Sequence, residues 1–197
     1  FSRLELLENG FKYTDVLPIL IDLQRYDIEP DSKLLDELKD RTNILFVGRL
    51  SRHKKQDDVM KVFYYYHHYI NQKSNLLLLY QADLNYRSYL EERARSLGIS
   101  NNVKFISGNS AKHLVTCYRA ADIFLSMSEH EGFCVPLLES MHFQVPIVAY
   151  DSTAVPGTLG GSIVGNAGAY GGRMSDVVQQ VTVLTRHNEI VTLKGED

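Results

Sequence analysis

The chain has 197 residues, of which 44% are hydrophobic, and a formal net charge of −3 at pH 7. This length is enough for one globular domain with its own core. The charge leaves no broad basic face for a nucleic acid, since the lysines and arginines are dispersed apart from the run Arg49 to Lys55. No apolar run reaches the roughly 20 residues that span a bilayer, and no signal-peptide pattern opens the chain, so we expect a cytoplasmic protein without a transmembrane segment.

Residues 1–40 show little regular patterning and are interrupted by Asn9-Gly10 and Pro18. We interpret them as a lead-in segment and inter-domain hinge, and residues 41–197 as one domain. From there, short apolar runs alternate with segments of helical periodicity. The predicted strands are 44–48, 76–80, 103–106, 123–126 and 147–150, and the predicted helices are 57–71, 86–97, 111–120 and, near the end, about 175–185.

This alternation predicts an α/β fold, with a Rossmann-like parallel sheet and helices on both faces. In such sheets, ligands bind in the crevice beyond the carboxyl ends of the strands. The segment after the strand 123–126 therefore contains the first candidate site. It holds two carboxylates, Glu131 in a loop and Glu139 about one turn into a helix that begins near Pro136.

The amides of residues 132–135 would face phosphate oxygens at the start of that helix. An ionised carboxylate accepts several hydrogen bonds, which suits sugar or ribose hydroxyls. Taken singly, either glutamate has an ordinary explanation, because the helix dipole favours an acidic residue near a helix start and Glu131 could be a solvated loop residue. Their combination with Gly132, Phe133 and Pro136 favours a sugar-nucleotide site.

Two segments resemble a known family. The run Glu131-Gly-Phe-Cys-Val-Pro-Leu-Leu-Glu139 is similar to the Glu-x7-Glu signature of retaining glycosyltransferases with the GT-B fold, in particular family four. The run from Ile44 to Lys55 resembles the family's Val-Gly-Arg strand end, followed by a lysine five positions after the arginine. The resemblance covers roughly residues 15 to 170.

The resemblance implies a set of site residues. It implies that Arg49 and Lys54 bind the diphosphate and that Glu131 positions the transferred sugar, which makes these three the candidate catalytic residues. An arginine and a lysine at one strand end can stabilise a diphosphate leaving group without a metal, although a basic run is more often a solvated loop. The remaining candidates share a donor-binding role: Gly48, Gly132, Phe133, Cys134, Val135 and Glu139.

The resemblance also implies the wider organisation. The chain would be one half of a GT-B enzyme, with residues 16–22 as the strand and hinge that enter this half. It would supply the donor site, while a glycan or lipid-linked acceptor would bind the missing N-terminal domain, so we expect the isolated chain to be inactive. The donor would be GDP- or UDP-linked, with no cofactor and no metal. Mannose from GDP-mannose is the preferred donor, as in bacterial surface-polysaccharide and lipopolysaccharide enzymes, which associate at most peripherally with the inner face of the cytoplasmic membrane.

Two alternatives belong to other functional classes. One is a non-catalytic sugar-nucleotide-binding module, and the other is a GT-B-fold sugar-nucleotide epimerase. Cys117 and Cys134 are interpreted as reduced thiols, and His67-His68 as structural residues. The sequence contains no dinucleotide-binding or Walker motif. Gly157 stands where relatives usually have a glutamate.

Overall fold

The structure is a computed structural model that describes residues 6–14, 22–81, 84–152, 155, 158, 168–169, 172–173, 180–184 and 190–194. Its centre is a five-stranded parallel sheet with the order β3-β2-β1-β4-β5. The strands are β1 (Thr42–Val47), β2 (Ser74–Tyr80), β3 (Val103–Ser107), β4 (Ile123–Ser126) and β5 (Ile147–Ala149). All five predicted strands are confirmed, and the first and last residues of each lie within two residues of the predicted ones.

The described helices are α1 (Ser32–Leu38), α2 (Gln56–Tyr69), α3 (Leu84–Ser96), α4 (Ala111–Ala120) and α5 (Val135–His142). Short 3-10 turns lie at Leu23–Tyr26, Arg52–Lys54 and Ser100–Asn102. The predicted helices 57–71, 86–97 and 111–120 correspond to α2, α3 and α4. Helix α1 lies within the predicted lead-in segment, where Tyr26 and Leu38 are nonetheless buried in the core.

Alternate residues of the central strands enter two separate apolar layers, because successive side chains of a strand point to opposite faces. Leu45, Leu77 and Leu79 share one layer with side chains of α1, α4 and α5. Ile44, Phe46 and their neighbours on β2 share the other with side chains of α2 and α3. The sheet is therefore covered on both faces, as the sequence predicts for strands that are continuously apolar.

The strand order contains a topological switch point. The chain runs outward from β1 to β2 and β3, and then returns to place β4 on the opposite side of β1. Ile44 pairs with Ile123 and Leu45 with Phe124, so the carboxyl ends of β1 and β4 lie at one edge of the sheet. The loops that follow these two strands are the loops that carry the two sequence motifs, and the crevice between them is where a doubly wound fold binds its ligand.

One predicted element is wrong. The sequence predicts a helix at about 175–185, whereas Gln180–Leu184 is a strand, β8, antiparallel to β9 (Ile190–Lys194). The β-branched run Val181-Thr182-Val183 favours an extended backbone, which explains the difference. A second antiparallel pair joins β6 (Gly168–Ala169) to β7 (Gly172–Arg173). Most of the predicted hinge at 16–22 lies outside the described residues.

Candidate active site

The loop after β1 places Gly48 and Arg49 at the edge of the crevice. The Gly48 N–H donates to the Leu79 carbonyl at 3.1 Å, which extends the β1–β2 pairing by one residue. A Cβ added at Gly48 would lie 3.2 Å from the Phe46 ring, so the backbone here packs closely. The Arg49 side chain is exposed. The Arg49 backbone carbonyl accepts a hydrogen bond from the side-chain amide of buried Gln56 at 2.8 Å. This bond connects the loop to the first turn of α2.

Lys54 and Glu131 form an ion pair across the crevice. The Lys54 Nζ lies 2.6 Å from Glu131 Oε2, with side-chain exposures of 18% and 9%. The two residues come from different motifs, because Lys54 ends the 3-10 turn after β1 and Glu131 lies in the loop after β4. The structure therefore brings together a cation and a carboxylate that the sequence predicts separately.

Further contacts fasten the two loops to each other. The His53 carbonyl accepts hydrogen bonds from the Glu129 N–H at 2.9 Å and the Ser128 hydroxyl at 3.4 Å. The Lys55 ammonium pairs with Glu129 at 2.8 Å. His53 and Lys55 lie in the first motif, whereas Ser128 and Glu129 precede the second, and their contacts join the two loops into one surface.

The loop after β4 leads directly into helix α5, which begins at Val135. The Leu137 N–H donates to the Cys134 carbonyl at 3.0 Å, and Pro136 in the first turn has no N–H. A Cβ added at Gly132 would meet nothing within 4 Å, so this residue borders open space. The Phe133 carbonyl accepts a hydrogen bond from Thr158. The predicted donor-binding run from Gly132 to Val135 thus lies at the helix start.

Glu139 is buried one turn into α5, and both of its carboxylate oxygens have partners. Tyr26 donates to Oε1 at 2.6 Å, and Tyr118 donates to Oε2 at 2.8 Å. Sequence reasoning missed both tyrosines as site residues. Tyr118 lies in α4 and Tyr26 in the 3-10 turn Leu23–Tyr26, 113 residues from Glu139, so no local spacing could have revealed the contact.

Cys134 caps α5 in the left-handed region, with φ 65°. The side chain is buried, and this burial, followed by the nearby Glu131 carboxylate, raises the pKa of the Cys134 thiol to about 12. Burial alone raises the pKa of Cys117 to about 12. A thiol with such a pKa is a poor nucleophile at neutral pH, because the thiolate is the reactive form.

Both thiols are therefore expected to resist labelling. At pH 8 the thiolate fraction of a group with this pKa is roughly 10⁻⁴, and burial further blocks access. We expect Ellman's reagent to detect close to none of the two thiols in the native protein and both in urea. Rapid labelling of the native protein at pH 8 would show that one cysteine is exposed and activated.

Neither a metal-binding cluster nor a membrane-spanning helix occurs among the described residues. Among them, no group of three or more His, Cys, Asp or Glu side chains could hold a metal ion. His67 bonds Ser74 and His68 bonds the Tyr64 carbonyl, each at 3.0 Å, which agrees with a structural role for both. None of the helices in the described ranges is both long and apolar enough to cross a membrane. Gly157 lies outside the described residues.

The model of the family described as "Glycosyl transferases group 1" matches residues 27–167. The chain belongs to this family. Anabaena HepE in complex with UDP and glucose has the same fold, with a TM-score of 0.66 and 21% sequence identity. The match covers 79% of the present chain and 44% of HepE. WaaG, a glycosyltransferase involved in lipopolysaccharide biosynthesis, has a TM-score of 0.66 and 18% identity over 82% of the chain and 46% of WaaG. The chain thus spans less than half the length of these enzymes and has one half of a GT-B fold.

A second kind of relative matches only a short segment. The UDP-N-acetylenolpyruvoylglucosamine reductase of Caldanaerobacter subterraneus is 52% identical over 46 residues, which is 23% of the group 1 chain and 15% of the reductase. This segment is longer than either end of the chain outside residues 27–167. Wherever it lies, it must therefore overlap the glycosyltransferase match.

Proposed function

We propose that this domain supplies the donor site of a retaining hexosyltransferase that uses a nucleotide-sugar. The observation that carries the proposal is the Lys54–Glu131 ion pair at the switch point of the sheet. In this proposal Lys54 would bind the diphosphate and the adjacent Glu131 would bind the sugar, close to the start of α5. A nucleoside diphosphate with an attached sugar presents the matching chemistry, an anion next to hydroxyl donors.

The proposed reaction needs no metal. As the bond between the sugar and the diphosphate breaks, negative charge develops on the leaving phosphate, where Arg49 and Lys54 would stabilise it. Glu131 would hold the sugar hydroxyls rather than attack the sugar. The departing phosphate would assist deprotonation of the acceptor on the same face, which requires only that the two substrates are held in position.

The identities of the nucleotide and of the transferred sugar are part of the proposal. The sequence favours mannose from GDP-mannose, whereas HepE was solved with UDP and with UDP-glucose, so both nucleotides are candidates. We propose that the acceptor, a glycan or a lipid-linked glycan, binds a further domain of a longer enzyme. The alternative of a non-catalytic sugar-nucleotide module shares the same donor site and differs only in the absence of transfer.

Calorimetry with UDP, GDP, UDP-glucose and GDP-mannose tests the proposal. We expect the chain to bind one nucleoside diphosphate weakly, to bind its sugar conjugate, and to perform no transfer alone. Arg49→Ala should weaken binding of the diphosphate, whereas Arg95→Ala, at an exposed position of α3, should not. No binding of any of the four compounds, or equal effects of the two arginine variants, would contradict the donor-site proposal. Efficient transfer by this chain alone would contradict the two-domain mechanism.

We also propose that the C-terminal part of the chain, from about residue 154, carries the reductase likeness and is foreign to the donor domain. Residues 154–172 hold seven of the 13 glycines of the chain. Gly157 replaces the glutamate expected from the glycosyltransferase resemblance. The described strands β6 to β9 form two antiparallel pairs that are not hydrogen-bonded into the parallel sheet, although β8 contacts β5. This part of the chain would derive from a UDP-N-acetylenolpyruvoylglucosamine reductase.

Comparing the two parts separately tests this second proposal. We expect residues 154–197 alone to retain the match to the reductases and residues 1–153 alone to lose it. Genomic sequencing across residues 145–160 would then show whether the junction exists in the gene. A reductase match that stays with residues 1–153 would contradict the proposal.

A further inference from the structure

We propose that Tyr26 and Tyr118 are positioning residues, which hold the Glu139 carboxylate in the orientation that accepts the two ribose hydroxyls of the nucleotide. The inference rests on the proposed donor site and adds two residues to it. Neither tyrosine belongs to the sequence motifs that suggest the site. Their effect on the nucleotide would act entirely through Glu139.

The hydrogen bonds divide evenly between the two carboxylate oxygens. Tyr26 donates to Oε1 at 2.6 Å and Tyr118 to Oε2 at 2.8 Å, so rotation of the carboxylate about its terminal bond would break both bonds. Each oxygen of an ionised carboxylate has two lone pairs. Each oxygen therefore keeps one acceptor position after the tyrosines have bound. Two acceptor positions, one on each oxygen, match the two adjacent hydroxyls of a ribose.

The tyrosines cannot readily turn away, because both rings are fixed by aromatic packing. The Tyr118 ring stacks on Phe143 with an interplanar angle of 2° and a centroid distance of 5.0 Å. The Tyr26 ring meets the same Phe143 edge-on at 5.5 Å. Tyr26 and Tyr118 are 2% and 1% exposed. The single Phe143 ring thus contacts both tyrosine rings and restricts their movement.

The protonation of the two phenols suits this role. Burial, together with the Glu139 carboxylate, raises the pKa of Tyr26 and of Tyr118 above that of an ordinary tyrosine. Both hydroxyls therefore remain donors throughout the neutral and mildly alkaline range. They replace the water that the carboxylate loses on burial, which would otherwise be costly.

A purely structural explanation accounts less well for this cluster. Replacing both partners of a buried hydrogen bond by apolar groups of the same shape is often nearly neutral for stability, so stability alone does not require a carboxylate with two phenols here. A carboxylate that two donors orient and that keeps free acceptor positions is useful for binding a diol. The 3-10 turn that carries Tyr26 would then form part of the donor site, although it precedes the first strand of the sheet.

Nucleotide affinities of Tyr26→Phe and Tyr118→Phe test the inference, with the tighter of UDP and GDP and with its 2′-deoxy analogue. Each variant should lose roughly threefold to tenfold affinity for the ribonucleotide and much less for the deoxy analogue, so their affinity ratio should shrink. In a Glu139→Gln background, either tyrosine substitution should change this ratio no further, because the effect passes through Glu139. Tyr65→Phe, at an exposed tyrosine of α2, is the matched control and should change nothing.

The possible outcomes separate the two proposals. If the wild-type protein binds the ribonucleotide and both tyrosine variants keep the wild-type ratio, the positioning role is wrong, whatever happens to the melting temperature. If the wild-type protein binds neither UDP nor GDP, the donor-site proposal is wrong, and the positioning role of the tyrosines is then wrong as well. If one variant does not fold, the other decides, since each tyrosine holds its own carboxylate oxygen.

Discussion

Lys54→Met is expected to remove most of the affinity for a nucleoside diphosphate and to destabilise the empty domain. The lost contact to a phosphate is a charge-assisted hydrogen bond, for which about 1.5–3 kcal/mol of binding free energy is typical. The substitution also removes the Lys54 ammonium from Glu131, whose side chain is 9% exposed. We expect a loss of about 2–3 kcal/mol in the free energy of unfolding, below the roughly 3–5 kcal/mol of a fully buried pair because both side chains keep some exposure. Calorimetry and urea denaturation measure the two effects.

The double variant Lys54→Met/Glu131→Gln separates binding from stability. Neutralising residue 131 removes the negative charge that Lys54 offsets in the wild-type protein, so much of the stability should return while the diphosphate affinity stays low. Lys104→Met, at an exposed position of β3, is a control that should affect neither measurement. If Lys54→Met keeps full diphosphate affinity and only loses stability, the ion pair is structural and the phosphate contact is wrong.

The sequence predicts the parallel sheet well because its signals are local. Continuous apolar runs such as Leu76 to Leu79 identify buried strands, and helical spacing identifies α2 and α4 between them. The error at Gln180–Leu184 arose where a helical pattern of apolar residues competed with a run of β-branched ones. Periodicity alone does not decide between the two in so short a segment.

The site could be predicted only as separate parts. The motifs identify Lys54 and Glu131 individually, but their contact depends on β1 and β4 being neighbours, which is a property of the topology. The two tyrosines on Glu139 come from positions 113 and 21 residues away, and each contact requires that the whole core be assembled. Side-chain types and spacing therefore predict the chemistry of the site, whereas its internal hydrogen bonds follow from the packing.

Glu131→Gln is expected to have opposite effects on the bare diphosphate and on the complete donor. Lys54 pairs with Glu131 at 2.6 Å, so a diphosphate has to compete with this carboxylate for the ammonium. Neutralising residue 131 removes the competition, and affinity for UDP or GDP should rise by roughly threefold to tenfold, the range of a partly buried ion pair. The nucleotide-sugar should not gain in the same way, because it loses the carboxylate that accepts its sugar hydroxyls. Calorimetry with each nucleotide and its sugar conjugate measures both effects.

Glu139→Gln provides the contrast within the same helix-start motif. If Glu139 contacts ribose, which both ligands contain, this variant should weaken the bare diphosphate and the nucleotide-sugar alike, each by about 1.5–3 kcal/mol. In an enzyme that includes the acceptor domain, Glu131→Gln should also lower turnover more than donor affinity, provided that its contact to the sugar strengthens in the transition state. Equal losses of bare diphosphate affinity in the two variants would contradict the division of roles, because a residue that contacts only the sugar cannot weaken a ligand that has none.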